Sequence, residues 1–264
     1  MVIATLNDYI AAKKQVQVFY KSASAVTIAA VMGYTVFDLA GNPGIGALAI
    51  GNTANGVVPT GAIAGYPLIN AFDSGAIGYL SKVEFSSPVA CRLALYDRLF
   101  AAGAYAFNAN VTLANQPSYS SRISNGDYKG LELWAEAVTA FTLVPSFQIN
   151  YLDQDGNPGD TGVIAAPAAL TIRRCFQIPL ASGDNGIQQI TQVRCTVASA
   201  GTFNIMVLRP LWSGRVVMAN GGDIHDLLRT GLVQIFADSA LYVLVAADST
   251  SSSTPCIHFE VANK

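Results

Sequence analysis

Apolar and polar residues alternate one by one in several short segments of the chain. The pattern is clearest over residues 82–85, 91–97, 203–209 and 256–261. Successive side chains of a β-strand point to opposite faces, so each segment predicts a strand with one apolar and one polar face. Turn-forming Asn-Pro-Gly, Ser-Pro, Asp-Gly and Asn-Gly-Gly sequences separate such segments. The arrangement favours an all-β fold of antiparallel, jelly-roll-like β-sandwiches over alternating strands and helices.

The alternating segments occur twice, in the same order. Leu241 follows Leu131 by 110 residues, and Asn157 follows Asn42 by 115 residues. The other anchor pairs that keep this order are Pro67 with Pro179, Leu80 with Ile190, Val83 with Val193, Leu93 with Ile205, and Pro145 with Pro255. We therefore predict an internal duplication, with one β-sandwich domain over residues 33–150 and a second over residues 151–264.

Three segments do not follow the strand pattern. Asn7 can cap a two-turn helix, so residues 1–32 are predicted to form a short N-terminal helix and an arm. A second short helix is predicted to begin at Asp223 and to end at Gly231. Residues 41–66 are rich in Gly, Ala, Asn and Thr and have little to bury. They are interpreted either as an arm that is ordered by a neighbouring subunit or as a surface loop without a partner.

The composition changes the picture of the surface. The chain is 52% hydrophobic but only 12% charged, against about 25% charged residues in an average soluble domain. Two interpretations stay open: part of the surface is covered by neighbouring subunits, or the chain is a compact monomer with a weakly charged surface. The net charge of −2 and the absence of a Lys/Arg-rich run argue against nucleic-acid binding.

Membrane insertion and secretion are not expected either. The N-terminus has no basic start followed by an apolar stretch and a cleavage site. The most apolar long window, residues 232–247, is interrupted by Asp238 and is too short to span a bilayer. We therefore expect a protein without a membrane partner that is made in the cytoplasm.

Candidate metal sites are weak. Asp153, Asp155 and Asp160 lie near glycines and could suggest a calcium loop, but the twelfth position, where such a loop needs Glu, is Ile164. A β-turn without metal is therefore predicted there. The four cysteines lack the spacing of a zinc site and are interpreted as reduced, mostly buried residues: Cys91, Cys175, Cys195 and Cys256.

Catalytic machinery is not indicated. Neither His225 nor His258 lies in a sequence context that resembles a nucleophile and its base. Glu132 and Glu136 lie four residues apart on a predicted strand, but the second repeat has no carboxylates at the equivalent positions, which argues against a glycosidase pair. The sequence thus predicts a non-enzymatic protein with no catalytic residues, no cofactor-binding residues and no cofactor.

The chain resembles virion proteins of tailed bacteriophages that are encoded beside the major capsid protein. The resemblance lies in the sequences LALYDRL at residues 93–99, INYLDQDGNPGDTG at residues 149–162, PLASGDNGIQQITQV at residues 179–193 and FNIMVLRPL at residues 203–211. It implies a capsid cement or decoration protein on the outside of the virion, which binds the major capsid protein and assembles as a homotrimer.

Two alternatives stay open beside this interpretation. The first is another virion component, such as a tail, baseplate or head-fibre protein. The second is a carbohydrate-binding β-sandwich module, in which exposed aromatic side chains would stack on sugar rings. Trp134 and Trp212 are the candidates for such stacking, although their repeat equivalents, Leu244 and Phe100, are not tryptophan.

Overall fold

The computed structural model of the chain describes residues 2–21, 33–50, 54–167, 170–248 and 254–264. The described residues include two α-helices, α1 (Leu6–Ala11) and α2 (Leu227–Thr230), and two 3-10 helices (Ser120–Arg122 and Ser124–Gly126). The strands, in chain order, are β1 (Lys13–Lys21), β2 (Gly33–Thr35), β3 (Gly41–Asn42), β4 (Gly78–Ser87), β5 (Cys91–Phe107), β6 (Val111–Thr112), β7 (Glu132–Thr139), β8 (Ser146–Asp153), β9 (Pro158–Asp160), β10 (Ile164–Ala165), β11 (Arg174–Ile178), β12 (Ile187–Val197), β13 (Ser199–Val216), β14 (Gly221–His225), β15 (Gln234–Ile235), β16 (Leu241–Ala247) and β17 (Cys256–Asn263).

The strands pair antiparallel and build three sheets. Six of them close a barrel in the order β11-β2-β16-β5-β13-β7. Sheet 1 has the order β14-β4-β17-β1-β3, with β15 also on β4, and sheet 2 has the order β10-β8-β12-β6, with β9 also on β8. The predicted all-β, antiparallel fold with a short N-terminal helix is confirmed.

The strand register reproduces the sequence repeat residue by residue. Val83 of β4 pairs with Phe259 of β17. The residue 110 positions after Val83 is Val193 of β12, and it pairs with Ile149 of β8, which lies 110 positions before Phe259. The same correspondence holds in the barrel. Leu95 pairs with Val243, and their repeat equivalents, Val207 and Leu133, pair with each other. Leu93 pairs with Val245, and their equivalents, Ile205 and Ala135, also pair. The two units are therefore related by a pseudo-twofold axis.

The two units are not laid side by side as separate sandwiches. All three sheets contain strands from both predicted ranges, 33–150 and 151–264, and the predicted boundary falls inside β8. The pairing therefore differs from the predicted division. An alternating strand has the same pattern whether its partner comes from its own unit or from the other one, so the pattern cannot assign the partner.

The barrel lies between the two open sheets. One apolar core joins sheet 2 to the barrel and contains Phe147, Val193 and Phe203. Its counterpart joins sheet 1 to the barrel and contains Val83, Phe259 and other residues. Side chains alternate along each barrel strand. The residues between those that face the two open sheets therefore point into the barrel.

Residues 1–32 are only partly an arm. Helix α1 begins after Thr5 rather than after Asn7, and Thr5 forms a capping box with Asp8. Strand β1 then pairs with β17 along eight residues and buries Phe19 and Lys21. Residues 13–21, which lie within the predicted helix-and-arm range, therefore form a strand of sheet 1. Residues 22–32 lie outside the described residues.

The described parts of residues 41–66 pack on the barrel. The carbonyl oxygen of Leu48 accepts a hydrogen bond of 2.7 Å from Asn204 Nδ2, and Val57 pairs with Ala101 of β5. Gly56 has φ +73°, and a Cβ atom there would lie 2.2 Å from the Phe100 ring. The segment is thus ordered by its own chain, which neither sequence interpretation anticipated.

Helix α2 is shorter than predicted. It is capped by Asp226 and ends, as predicted, at Gly231, which adopts the left-handed conformation with φ 65°. Asp223 instead lies in β14, which pairs with β4. Within the part of the chain that the structure describes, no helix has the length and apolar character needed to cross a membrane.

Candidate functional site

Charged side chains occupy the centre of the molecule. We name Asp97, Arg98, Arg122, Glu136 and Arg209 the buried charge cluster, because the first four are fully buried and the Arg209 side chain is 13% exposed. Strand β5 supplies two of them, β7 and β13 one each, and a 3-10 helix the fifth. Buried charges are tolerated when each is paired and hydrogen-bonded, so the partners decide what the cluster does.

Asp97 is the centre of one half of the cluster. Its Oδ1 accepts hydrogen bonds of 3.0 Å from Arg122 Nη1 and from the backbone N–H of Ala240. Its Oδ2 accepts from Ser239 Oγ at 2.8 Å and from Arg209 Nη2 at 3.1 Å. The carboxylate is therefore held by four donors from three parts of the chain.

Arg122 extends this half of the cluster to the backbone. Its guanidinium donates to the carbonyl oxygens of Arg98 at 2.9 Å, Leu99 at 3.2 Å and Asp238 at 3.0 Å. One side chain thus joins the 3-10 helix, strand β5 and the loop before β16, which fixes these segments relative to one another.

Glu136 is the centre of the other half, inside the barrel. Its Oε2 accepts from Arg98 Nη2 at 3.1 Å and from Asn204 Nδ2 at 2.7 Å, and its Oε1 accepts from the Tyr242 hydroxyl. Burial raises the pKa of Tyr242 well above its ordinary value, so the hydroxyl stays protonated and keeps donating. Each donor comes from a different barrel strand, and the arrangement braces the barrel.

The buried thiol beside Glu136 is not an activated nucleophile. Cys175 Sγ lies 3.8 Å from the Tyr242 hydroxyl, and burial raises the pKa of this thiol well above its ordinary value. A reactive cysteine needs its thiolate form, which electropositive and partly exposed surroundings favour. Cys175 and the hydrogen-bonded groups around Glu136 therefore have a structural role in the barrel.

Sequence reasoning missed the buried charge cluster. Glu136 was considered only as a partner of Glu132, but Glu132 accepts a hydrogen bond of 2.7 Å from Trp134 Nε1 and belongs to a different environment. The adjacent Asp97 and Arg98 could have indicated it, because these two charged residues interrupt the alternation of β5 within the otherwise apolar residues 93–107.

The Asp153 loop is a hairpin turn. Asp153 Oδ1 accepts hydrogen bonds of 2.8 Å from the backbone N–H groups of Asp155 and Asn157. Desolvation raises the pKa of Asp153, but these hydrogen bonds outweigh it and leave the pKa below its ordinary value. Among the described residues, no group of three or more His, Cys, Asp or Glu side chains is arranged to hold a metal ion.

The two histidines lie apart and have different roles. His225, in β14, accepts a hydrogen bond of 2.8 Å on Nδ1 from Trp212 Nε1. His258, in β17, lies on the outer face of sheet 1, opposite Glu84 of β4 and Val18 of β1. His258 shares a groove on that face with Cys256, but burial raises the pKa of the Cys256 thiol, so this thiol is not activated as a nucleophile.

A groove of about 630 Å³ opens at one end of the barrel. It is lined by residues from all six barrel strands and from β14. Its aromatic and hydrogen-bonding side chains are Tyr96, Trp134, Gln177, Arg92, Arg215 and His225. An aromatic ring beside amide and guanidinium groups is an arrangement that can bind a polar ring-shaped ligand.

The outer faces of the two sheets differ, although the repeat makes them equivalent. On sheet 2 the outer face carries Gln148, Asn150, Gln192 and Arg194. On sheet 1 the outer face carries Val16, Val18, Tyr20, Glu84, Ile224 and His258. Three of the apolar side chains on sheet 1 are about half exposed or more: Val16, Tyr20 and Ile224. At the positions equivalent to Gln148, Asn150, Gln192 and Arg194, sheet 1 carries His258, Glu260, Lys82 and Glu84, and its apolar side chains lie on the flanking strands β1 and β14.

Helix α1 extends the apolar face of sheet 1. Tyr9 donates a hydrogen bond of 2.9 Å to Glu260, which lies opposite Val16 on that face. Leu6 and Ile10, one helical turn apart, are each 66% exposed. We name Leu6, Ile10, Val16, Tyr20 and Ile224 the docking surface.

Comparison with known proteins gives little guidance. No protein-family model and no curated protein matches the chain. A solved structure of infectious bursal disease virus strain Gx is 10% identical over 95% of this chain and 80% of that chain, with a TM-score of 0.17. A structure of strain Gt of the same virus is also 10% identical, over 95% of this chain and 81% of that chain, with the same TM-score. Similarity at this level assigns neither a fold nor a function.

Proposed function

We propose that the chain is a non-enzymatic structural protein of a tailed-phage virion, a cement or decoration protein that binds the major capsid protein as a homotrimer. One observation carries the proposal. The molecule places ion pairs in its interior and leaves aliphatic side chains in solvent on the docking surface. Such a distribution is what a protein needs when neighbouring subunits cover its surface.

The sequence resemblance and the rigidity of the fold support the same role. A capsid cement must keep its shape while it bridges shell subunits, and the three connected β layers with a cross-linked interior suit that task. The five side chains of the docking surface are apolar, as in the centre of a specific interface, and the same face of sheet 1 carries the charged Glu84 and Glu260 beside them.

The test is binding to undecorated phage heads. The protein is mixed with heads that lack decoration, the heads are pelleted, and the bound protein is quantified while light scattering gives the mass of the free protein. We expect a trimer that sediments with heads. The double variant Leu6→Asp/Ile10→Asp should lose at least tenfold in head affinity or trimer stability, with its melting temperature unchanged, since neither side chain is buried.

The matched control is Gln148→Asp on the outer face of sheet 2. It adds one charge to the equivalent face and should leave binding unchanged. Failure of the wild-type protein to form trimers or to bind heads would overturn the proposal, and so would equal loss of binding in both variants.

The groove at the barrel end favours a second candidate, a carbohydrate-binding module. Trp134 offers a partly exposed aromatic face, with Gln177 and Arg92 beside it to bind hydroxyl groups. A glycan array decides between the candidates. Glycan binding that is lost in Trp134→Ala and kept in Trp212→Phe would support the carbohydrate-binding function. An array without signal would exclude this function.

A further inference from the structure

The segment that packs on the barrel encloses an apolar pocket of about 230 Å³. Its buried walls include Phe37, Pro59 and Tyr66, and its exposed rim includes Ala49 and Ile63. A cavity of about 150 Å³ lined by aliphatic and aromatic side chains binds benzene. This pocket is therefore large enough for an aromatic ring or a short aliphatic chain with a few atoms to spare.

The charged residue that lines this pocket is Arg98, whose side chain is fully buried. Its guanidinium has five N–H groups. It donates to Glu136 at 3.1 Å and, over a long 3.4 Å, to the Tyr66 hydroxyl, while its Nε has no hydrogen-bond partner among the described residues. Leaving a buried charged donor unpaired is costly, so Arg98 has donor capacity that an acceptor in the pocket would use.

The charge balance of the interior points the same way. The buried charge cluster contains three arginines and two carboxylates: Arg98 pairs with Glu136, and the one positive charge in excess lies next to it, where Arg122 and Arg209 share Asp97. Cys175 and Tyr242 do not supply the missing negative charge, because burial raises the pKa of both groups. The ligand that complements an apolar pocket with a cation at its wall has an apolar body and a single anionic head.

We propose that this pocket binds a small monocarboxylate whose apolar body is about the size of a benzene ring, with its carboxylate accepting hydrogen bonds from Arg98. The site is independent of the proposed virion role. It uses residues that neither the docking surface nor the groove at the barrel end contains.

The test compares a carboxylate with its neutral analogue. The melting temperature of the full chain is measured at pH 7 with hexanoate or benzoate and with hexanamide or benzamide. At ten times the dissociation constant, the carboxylates should raise the melting temperature by about 3–5 °C. The amides should raise it by less than one third of that, because they lack the charge.

Variants at the rim locate the site. Ala49→Phe places an aromatic ring across the pocket entrance and should abolish the response to carboxylates. Ala114→Phe makes the same change at another exposed alanine, away from the pocket, and should keep it. Three results would each overturn the proposal: no response up to 10 mM carboxylate, an equal response to the amides, or an unchanged response in Ala49→Phe. The first would leave water as the partner of Arg98 Nε.

Discussion

Asp97 and Arg209 stand at equivalent positions of the two repeats and form an ion pair with each other, with 3.1 Å between Oδ2 and Nη2. They are also register partners on β5 and β13. Because the two positions carry opposite charges, the pair joins the units where they meet. The two repeats therefore carry complementary charges at the position where they meet.

Removal of the Asp97 charge should destabilise the fold strongly. Asp97→Asn keeps the side-chain shape but leaves Arg122 and Arg209 without their carboxylate, so we expect a loss of about 3–5 kcal/mol in the free energy of unfolding. Urea denaturation measures it. The control is Asp248→Asn, which breaks a partly exposed pair with Arg215 and should cost less than about 1 kcal/mol. Equal losses in both variants would contradict the role of the cluster.

Neither half of the chain should fold alone. Residues 33–150 lack the strand partners of β4 and of both edges of β5, and residues 151–264 lack those of β12 and β13. Because that boundary cuts β8 and residues 1–32 carry β1, the test uses residues 1–167 and 168–264, a division that cuts no described strand. Each fragment expressed separately should show no cooperative thermal transition by circular dichroism, whereas the co-expressed fragments should recover one. A cooperative transition in either fragment alone would show that the units are independent domains.

Two glycines with nearly the same positive φ should respond differently to substitution. Gly56 has φ +73° and contacts the Phe100 ring, whereas Gly75 has φ +75° and no atom within 4 Å of an added Cβ. Gly75→Ala should cost about 1 kcal/mol from backbone strain, and Gly56→Ala about 2–4 kcal/mol, because the methyl group also meets the ring. Chemical denaturation compares them, and equal costs would exclude close packing at Gly56.

Stability at alkaline pH should depend on Lys21. Its Nζ donates to the carbonyl oxygens of Leu39, Pro43 and Gly44 at 2.8–3.1 Å, and burial lowers its pKa from 10.5 to about 8. Between these values the unfolded chain binds more protons than the folded chain, so stability rises with pH.

Relative to Lys21→Met, the wild-type free energy of unfolding should therefore rise between pH 8 and pH 10.5, by at most about 1.4 kcal/mol per pH unit. Below pH 8 the difference between the two proteins should be constant. Urea titrations at several pH values measure this difference below and above pH 8. Taking the difference between the two proteins cancels the contribution of the tyrosines, which both proteins contain. A difference that is flat or falls with pH would contradict the lowered pKa.

Local patterns predicted much of this fold. The alternation in residues 91–97 and 203–209 identified β5 and β13, and the spacing of Val83 and Val193 matched the observed register. These features are local or periodic, so they are visible in one sequence. Partner choice between strands is a long-range property, which is why the exchange between the units was not predicted.

The charged interior could not be predicted for a related reason. Arg122 lies in a segment without strand or helix periodicity, yet its guanidinium reaches Asp97 and three backbone carbonyls. Sequence position alone does not show that a surface-type residue is buried. The exposure of apolar residues is hidden in the same way, since Leu6 and Ile10 of α1 face solvent rather than the body of the protein.

The exchange of strands between the repeats has a consequence for the origin of the chain. The main neighbours of β4, β5, β7 and β8 all belong to the second unit, so a single unit would leave these four strands unpaired. A second identical unit, related by a twofold axis, would supply every missing neighbour. A half-length ancestor of this design would have been an obligate homodimer. Joining two such units in one chain makes these contacts intramolecular, removes the concentration dependence of folding and leaves the outer faces of the two sheets free to differ.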